Sequence, residues 1–397
     1  KAKSDHGSNT IIGSHVKSSV EHTAFINGVL AHAIDFDDNS YVLLGHPSAV
    51  VLPAVLAVAE KMNATGEKLL NSYIIGTEVS CKLASLATEE LYNGGWHSTS
   101  VVGVLGATAG AGYLLELTED EMTNALGIAA SSASGLKSNF GSMTKPFHAG
   151  LAAQNGVRAA LLAKQGFTSG TNTLERDLGY FSTYAGILPK VNIAEKLGKP
   201  FVMMDPGFDI KPYPSCAATH TAIDAVLKIV RDNNFRANDV KKIVANTGQL
   251  AKLILIHDRP QRGFEGKFSM PFVLAAGIVD GKVNIDSFTD EKVNSPQIRE
   301  LIEKVEFNVH AGFNDTGLKG APSIIEVHLK NGQVFSEKVE HATGTPQNPM
   351  SSEDLKQKYI DCASRVLDGE NINQSIEKTL RLEELTNVSD LLIHFQK

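Results

Sequence analysis

Histidines and lysines set around the starts of helix-forming runs are the residues of this sequence whose types and spacing could do chemistry, and the pattern recurs. The stretch from His32 to Pro53, HAIDFDDNSYVLLGHPSAVVLP, places three carboxylates in four positions: Asp35, Asp37 and Asp38. A short loop then leads to His46, Pro47 and Ser48. Pro47 suits the first turn of a helix, where the N–H it lacks would have no partner. His46 therefore falls at a helix N-terminus, where free N–H groups and the macrodipole attract an anion. Carboxylates beside a histidine at such a point suit proton transfer on an anionic substrate. The plainer alternative is a helix cap next to a solvated acidic loop.

Three further stretches join it. Gly95-Trp96-His97-Ser98-Thr99-Ser100 carries the single tryptophan; Thr144-Lys145-Pro146-Phe147-His148 stands ahead of a helical pattern; Lys211-Pro212-Tyr213-Pro214-Ser215-Cys216 falls where the composition changes. Taken singly, each has an ordinary structural reading: a satisfied histidine, a solvated lysine, a buried inert thiol. Taken together, ammonium groups and helix N-termini suit several carboxylates at once.

Other chemistries lack their signatures. No GxGxxG follows a strand and no GxxxxGK[ST] occurs, so nucleotide sites lack their usual loops. HExxH and GxSxG are also missing. DFDD at residues 35–38 matches a DxDD pattern that could hold Mg²⁺ or serve a helical terpene cyclase. A cyclase needs aromatic walls for carbocations, and the aromatic content of 7% speaks against one. A net charge of −7 without a strong basic run argues against nucleic acid. A local cluster of lysine and histidine can still dominate the field of a cleft. Cys81, Cys216 and Cys362 are far apart and form no CxxC, which argues against a disulfide framework or structural zinc and fits a reducing cytosol. The opening KAKSDHGSNT is polar, with no signal-peptide core, and its abrupt start is compatible with a longer natural chain. The uncharged run between His97 and Glu116 is about long enough to span a bilayer. Its glycines and small polar residues predict a tightly buried core helix instead.

At 397 residues the chain is expected to form about two domains. Helical patterns run over residues 16–33, over 48–62 with Pro53 as a kink, over 67–90, over 98–116, and over 149–165, closed by Gly166. Thr118 and Glu121 have capping-box spacing and open a helix to about Ser131. After Pro200, the run Pro206, Gly207, Pro212 and Pro214 marks a boundary. Strands follow over 242–247 and 305–310. Ile325, Val327 and Leu329 alternate with polar residues ahead of Asn331-Gly332, predicting a strand and a type I′ hairpin turn. Ser351 or Ser352 caps a further helix, and the rest is helical. The expected architecture is mainly α: a helical domain over 1–205 plus 346–397, interrupted by an α+β domain over 206–345.

The stretches HAIDFDD…GHPSAVVLPA, GWHSTSVVGVLGA, TKPFHAG…AAQNG, GF-TSG and KPYPSC, in this order, resemble the MmgE/PrpD family over about residues 20–365. The resemblance implies a large helical domain with a smaller α+β lid, a homodimer, and no organic cofactor; a cytoplasmic location is expected from the cysteine pattern, and no metal is expected. It implies a lyase acting on a small di- or tricarboxylate. Members similar in their motifs are cis-aconitate decarboxylase, iminodisuccinate epimerase and 2-methylcitrate dehydratase, with itaconate-forming decarboxylation favoured here. A non-catalytic tricarboxylate-binding protein is the alternative of another class. By the same resemblance His46 and His97 are the active-site histidines and Asp35 tunes a catalytic group. Lys145 and Lys211 match lysines that contact substrate carboxylates, and His148, Cys216 and, on the lid, Lys267 are further candidates for substrate binding. Cys216 stands where decarboxylases of the mammalian type have a histidine, and Asn39 where they have a threonine. Each of the three activities handles a carbanion-like carbon beside a carboxylate, which calls for a histidine titrating near the working pH and cations gathered in one crevice.

Overall fold

The computed structural model describes residues 7–316 and 322–397; the first six residues of the polar opening stretch lie outside them. The chain forms two compact units. The first takes in the N-terminal segment up to Ala33, then Asp38–Phe208 and Ser351–Lys397. The second takes in Ile34–Asp37 and Asp209–Met350.

The first unit is helical. Its principal helices are α1 (Val20–His32), α2 (Pro47–Lys61), α3 (Gly66–Ala84), α4 (Gly103–Leu114), α5 (Glu119–Ser131) and α6 (Thr144–Lys164). α1 starts later than its periodicity suggests, because Lys17–Ser18 pairs with Asn9–Thr10 as a short antiparallel ladder and Ser19 then caps the helix. α2 begins at Pro47 as expected, and Pro53 lies within it. α3 ends at Ala84, and a separate short helix, Thr88–Asn93, covers the rest of the expected span. The capping box of Thr118 and Glu121 forms with both of its hydrogen bonds. The uncharged run becomes a short turn, Ser98–Val101, followed by α4, whose residues are buried apart from Tyr113. Among the described residues no helix is long and apolar enough to cross a membrane.

Small residues set how closely these helices pack. A Cβ added at Gly28 of α1 would lie 2.8 Å from Gly150 Cα of α6. One added at Gly150 would strike the Phe25 carbonyl oxygen. The two backbones are thus in direct contact, and neither side can yield without a helix shift. Gly28→Ala is expected to destabilise the protein by about 1–3 kcal/mol through overpacking, read as a lowered Tm in calorimetry. The chain's last segment completes this unit: Val388 N–H donates to the Ala64 carbonyl (2.9 Å), Gly66 N–H to Leu385 (2.8 Å) and Gly13 N–H to Phe395 (2.7 Å).

The second unit is built on a four-stranded sheet of β1 (Val240–Thr247), β2 (Val305–Val309), β3 (Ser323–Leu329) and β4 (Val334–Val339). Its spatial order is β2-β1-β3-β4, with β1 and β2 parallel and the other neighbours antiparallel. Ile325, Val327 and Leu329 point into the core, as the alternation predicts. The turn differs from the expected type I′. Leu329 N–H donates to Gln333, Gly332 N–H donates to Leu329, and Gly332 alone in the turn has positive φ (92°). That is a three-residue loop with the glycine in a bulge, because a two-residue I′ turn would need positive φ at Asn331 as well. Helix α7 (His220–Asp232) buries Ala222, Ile223, Val226 and Ile229 at helical spacing and packs on β3 and β4. Helices α8 (Met270–Asp280) and α9 (Pro296–Ile302) complete the core with Phe272, Leu274, Ile298 and Leu301.

Candidate active site

In the first unit four imidazoles converge from four segments. His32 is the last residue of α1, His46 the N-cap of α2, His97 the residue before the turn Ser98–Val101, and His148 lies early in α6. The His32 ring lies 4.6 Å from that of His46 and 5.9 Å from that of His97, centroid to centroid. His97 and His148 face each other with their Nδ1 atoms 3.2 Å apart. Phe140 closes the group edge-on to His97 at 4.9 Å, and the Lys145 ammonium lies 5.7 Å from the centre of the Phe140 ring. His32, His97, Lys145 and His148 are all buried.

Local sequence explains the placement. Helix α6 starts at Thr144, five residues before its apolar pattern, so Lys145 and His148 stand inside it rather than ahead of it. Pro146 is tolerated there because the first turn needs no N–H from it. His46 N–H donates to Thr99 Oγ1 (3.2 Å), tying the start of α2 to the segment after His97. Gly45 permits that approach, since a Cβ there would meet Thr99 Oγ1 at 2.6 Å. The His46 side chain does not cap α2. Asp38 does, its carboxylate accepting from Ser48 N–H (3.1 Å) and Ser48 Oγ (2.5 Å). His46 Nδ1 instead meets the Asp38 main-chain carbonyl at 2.7 Å. A carbonyl only accepts, so this nitrogen carries the hydrogen.

Burial pushes His97 well below the ordinary histidine value of 6.5, helped by the nearby Lys145, His32, His46 and His148. Burial, with His32 and Lys145, lowers His148 as well. Both shifts favour the uncharged rings, and the facing Nδ1 atoms can share only one hydrogen between them, so the two are not charged together. The unfolded chain takes up protons at these histidines as pH drops through about 6.5, whereas the folded chain refuses them. Stability is therefore expected to be full above that pH and to fall below it, by at most about 1.4 kcal/mol per pH unit for each group. Tm measured at steps from pH 7.5 to 5 checks the slope.

The second unit gathers the other residues of interest. Lys211 Nζ, fully buried, donates to the Asp35 carboxylate (2.9 Å) and to the Asp35 carbonyl (3.1 Å). Lys267 Nζ donates to the carbonyls of Ile34 (2.7 Å) and Pro214 (2.6 Å), and it lies 4.4 Å from the Phe288 ring centre. Cys216 N–H donates to the Lys267 carbonyl (3.0 Å). Two lysines thus hold the short segment Ile34–Asp37, in which Asp35 adopts a left-handed conformation (φ 56°). Burial alone would lower the Lys211 ammonium, but Asp35 and Asp37 outweigh it and its pKa is raised. The three aspartates of DFDD are accordingly divided: residues 35 and 37 belong to the second unit, and Asp38 to the first.

The structure therefore brings His46, His97, Lys145 and His148 together within one unit, and Asp35, Lys211, Lys267 and Cys216 together within the other. His32, Asp38 and Phe140 were not assigned from the sequence. His32 opens the quoted motif, and its position three residues before Asp35 was the available signal.

Comparison with known proteins matches the MmgE/PrpD N-terminal domain to residues 1–189 and the MmgE/PrpD C-terminal domain to residues 213–382. The chain belongs to the MmgE/PrpD family. The two matches take in every site residue named in this subsection except Lys211, which falls between them. Among relatives, the cis-aconitate decarboxylase of Homo sapiens is 31% identical over 402 residues, covering 98% of this chain and 82% of the relative. The protein of that name from Mus musculus is 30% identical, covering 93% and 77%. That from Aspergillus terreus is 27% identical, covering 97% and 83%.

Proposed function

We propose that this MmgE/PrpD protein is a cofactor-independent carboxy-lyase that converts cis-aconitate to itaconate. The observation that carries the reading is the buried cluster of histidines with Lys145 in the helical unit, in which one ring, His46, is held through Nδ1 by the Asp38 carbonyl. The names of the curated relatives support the choice of substrate.

The reaction needs one proton and a place for carboxylates. The C–C bond to the carboxylate on the saturated arm breaks and CO₂ leaves. The electron pair left behind forms the new double bond. The electrons of the old double bond take a proton at the carbon beside the remaining terminal carboxylate. His46, as imidazolium, delivers that proton from Nε2. His97, held neutral, hydrogen-bonds to a carboxylate without competing as the acid. His148 fixes the His97 ring, and Lys145 supplies positive charge where negative charge develops, an effect strengthened by exclusion of water. In the second unit Lys211 and Lys267 hold Asp35 and its segment in place, with Cys216 beside them.

The test is to incubate the purified protein separately with cis-aconitate, 2-methylcitrate and iminodisuccinate and to follow products by proton NMR. The vinylic methylene signals of itaconate from the first incubation are the expected result. Turnover of either other compound alone would transfer the assignment to the dehydratase or the epimerase. Calorimetric binding of cis-aconitate with no product would show a binding protein. The family expectation of a homodimer is checked in the same preparation by sedimentation, at about twice the mass of one chain.

A further inference from the structure

Behind His46 runs a chain of hydrogen bonds that the proposed reaction does not itself require. Tyr73 of α3 bonds through its hydroxyl to Ser48 Oγ, Ser48 Oγ donates to the Asp38 carboxylate, and the Asp38 carbonyl receives His46 Nδ1–H. The direction is fixed from one end. A carboxylate only accepts, so the Ser48 hydroxyl points its hydrogen at Asp38 and takes that of Tyr73. Burial, together with the Asp38 charge, pushes the Tyr73 phenol well above its ordinary value, so it remains a donor throughout the working range. The loop between Asp38 and His46 is closed on itself by Ser40 N–H to Gly45 (2.8 Å) and Gly45 N–H to Ser40 (3.2 Å). What places the Asp38 carbonyl against the ring is therefore the anchoring of its own side chain to the first turn of α2.

We propose that Asp38, held by Ser48 and Tyr73, is a positioning residue for His46: it keeps the ring hydrogen on Nδ1 and so aims Nε2 as the nitrogen that first takes up and then delivers the catalytic proton. Free imidazole prefers its hydrogen on Nε2, so a ring held the other way needs an acceptor kept at Nδ1. The consequence for activity rests on the reading of His46 as the acid; the tautomer itself does not.

The experiment uses full-length protein with ¹⁵N-labelled histidine. The His46 signals are assigned by their loss in His46→Gln. In substrate-free wild type, His46 is expected to show a protonated Nδ1 and a bare Nε2. Asp38→Ala shifts the ring toward the Nε2–H form and lowers kcat for cis-aconitate roughly 10- to 100-fold with KM within about threefold, because a displaced acid loses rate more than binding. Asp38→Asn, which still accepts from Ser48 N–H, recovers much of both. Ser48→Ala gives an intermediate change, and Tyr73→Phe a smaller one of the same sign. If Asp38→Ala does not fold, Ser48→Ala and Tyr73→Phe carry the same two readouts. A role confined to capping α2 would lower Tm in these variants and leave the His46 tautomer and kcat unchanged, and that result overturns the proposal. Wild-type protein inactive on cis-aconitate but showing the tautomer shift would overturn the functional reading and uphold the positioning role.

Discussion

His46→Gln is expected to cut kcat for itaconate formation by about 10²- to 10⁴-fold, the usual contribution of a positioned general acid. Glutamine keeps a donor that can reach the Asp38 carbonyl but cannot deliver a proton to carbon. Binding of cis-aconitate, measured by calorimetry, should change little, because the carboxylate partners are untouched. His97→Gln should behave differently. That ring is neutral by burial and by the cations around it. Its loss should raise KM at least as much as it lowers kcat, as removal of a carboxylate contact does. A drop in kcat at His97 equal to that at His46, with KM unmoved, would reverse the two roles. So would undiminished turnover in His46→Gln with intact binding.

Lys211→Met is expected to give the largest loss of stability, about 3–5 kcal/mol, because it leaves the Asp35 carboxylate buried without its cation. The ion pair is 2.9 Å long, and both side chains are nearly inaccessible, at 0% and 3%. Adding Asp35→Asn should restore most of that loss. It removes the stranded charge, and asparagine tolerates the left-handed backbone at residue 35. Denaturant titration of wild type, the single variants and the pair gives the coupling directly. The pH dependence separates this effect from that of the histidines. The Lys211 pKa is raised in the folded state, so its contribution is fully present below the ordinary lysine value of 10.5 and is lost only as pH climbs through the higher folded value. Between pH 5 and 9 the difference between wild type and Lys211→Met should stay flat on the lysine side. The histidine term instead bends the stability curve on the acid side.

Much of this was legible in the residues, for identifiable reasons. The Thr118–Glu121 box, the proline start of α2 and the alternation at Ile325, Val327 and Leu329 are local signals whose meaning does not depend on distant packing. The gathering of His46, His97, Lys145 and His148 followed from one repeated pattern, a basic residue beside a helix start. What escaped was set by tertiary contact. His32 sits in the last turn of α1, where a histidine reads as an ordinary C-terminal cation, and its ring neighbours, His46 and His97, come from distant segments. The capping of α2 passed from His46 to Asp38 because the intervening loop folds back on itself. The joining of Ile34–Asp37 to the second unit depends on Lys211 and Lys267, which lie far along the chain and leave no trace in local composition.

The order in which the pieces are made does not match the order in which they can be finished. Residues 385–395 hydrogen-bond to residues 13, 64 and 66, so the helical unit lacks part of itself until residues 385–395 have been synthesised. The second unit has every segment in hand some fifty residues sooner, once Met350 is out. On the ribosome, the half that is begun first therefore waits longest, with its apolar helix faces open to chaperones while the other half closes.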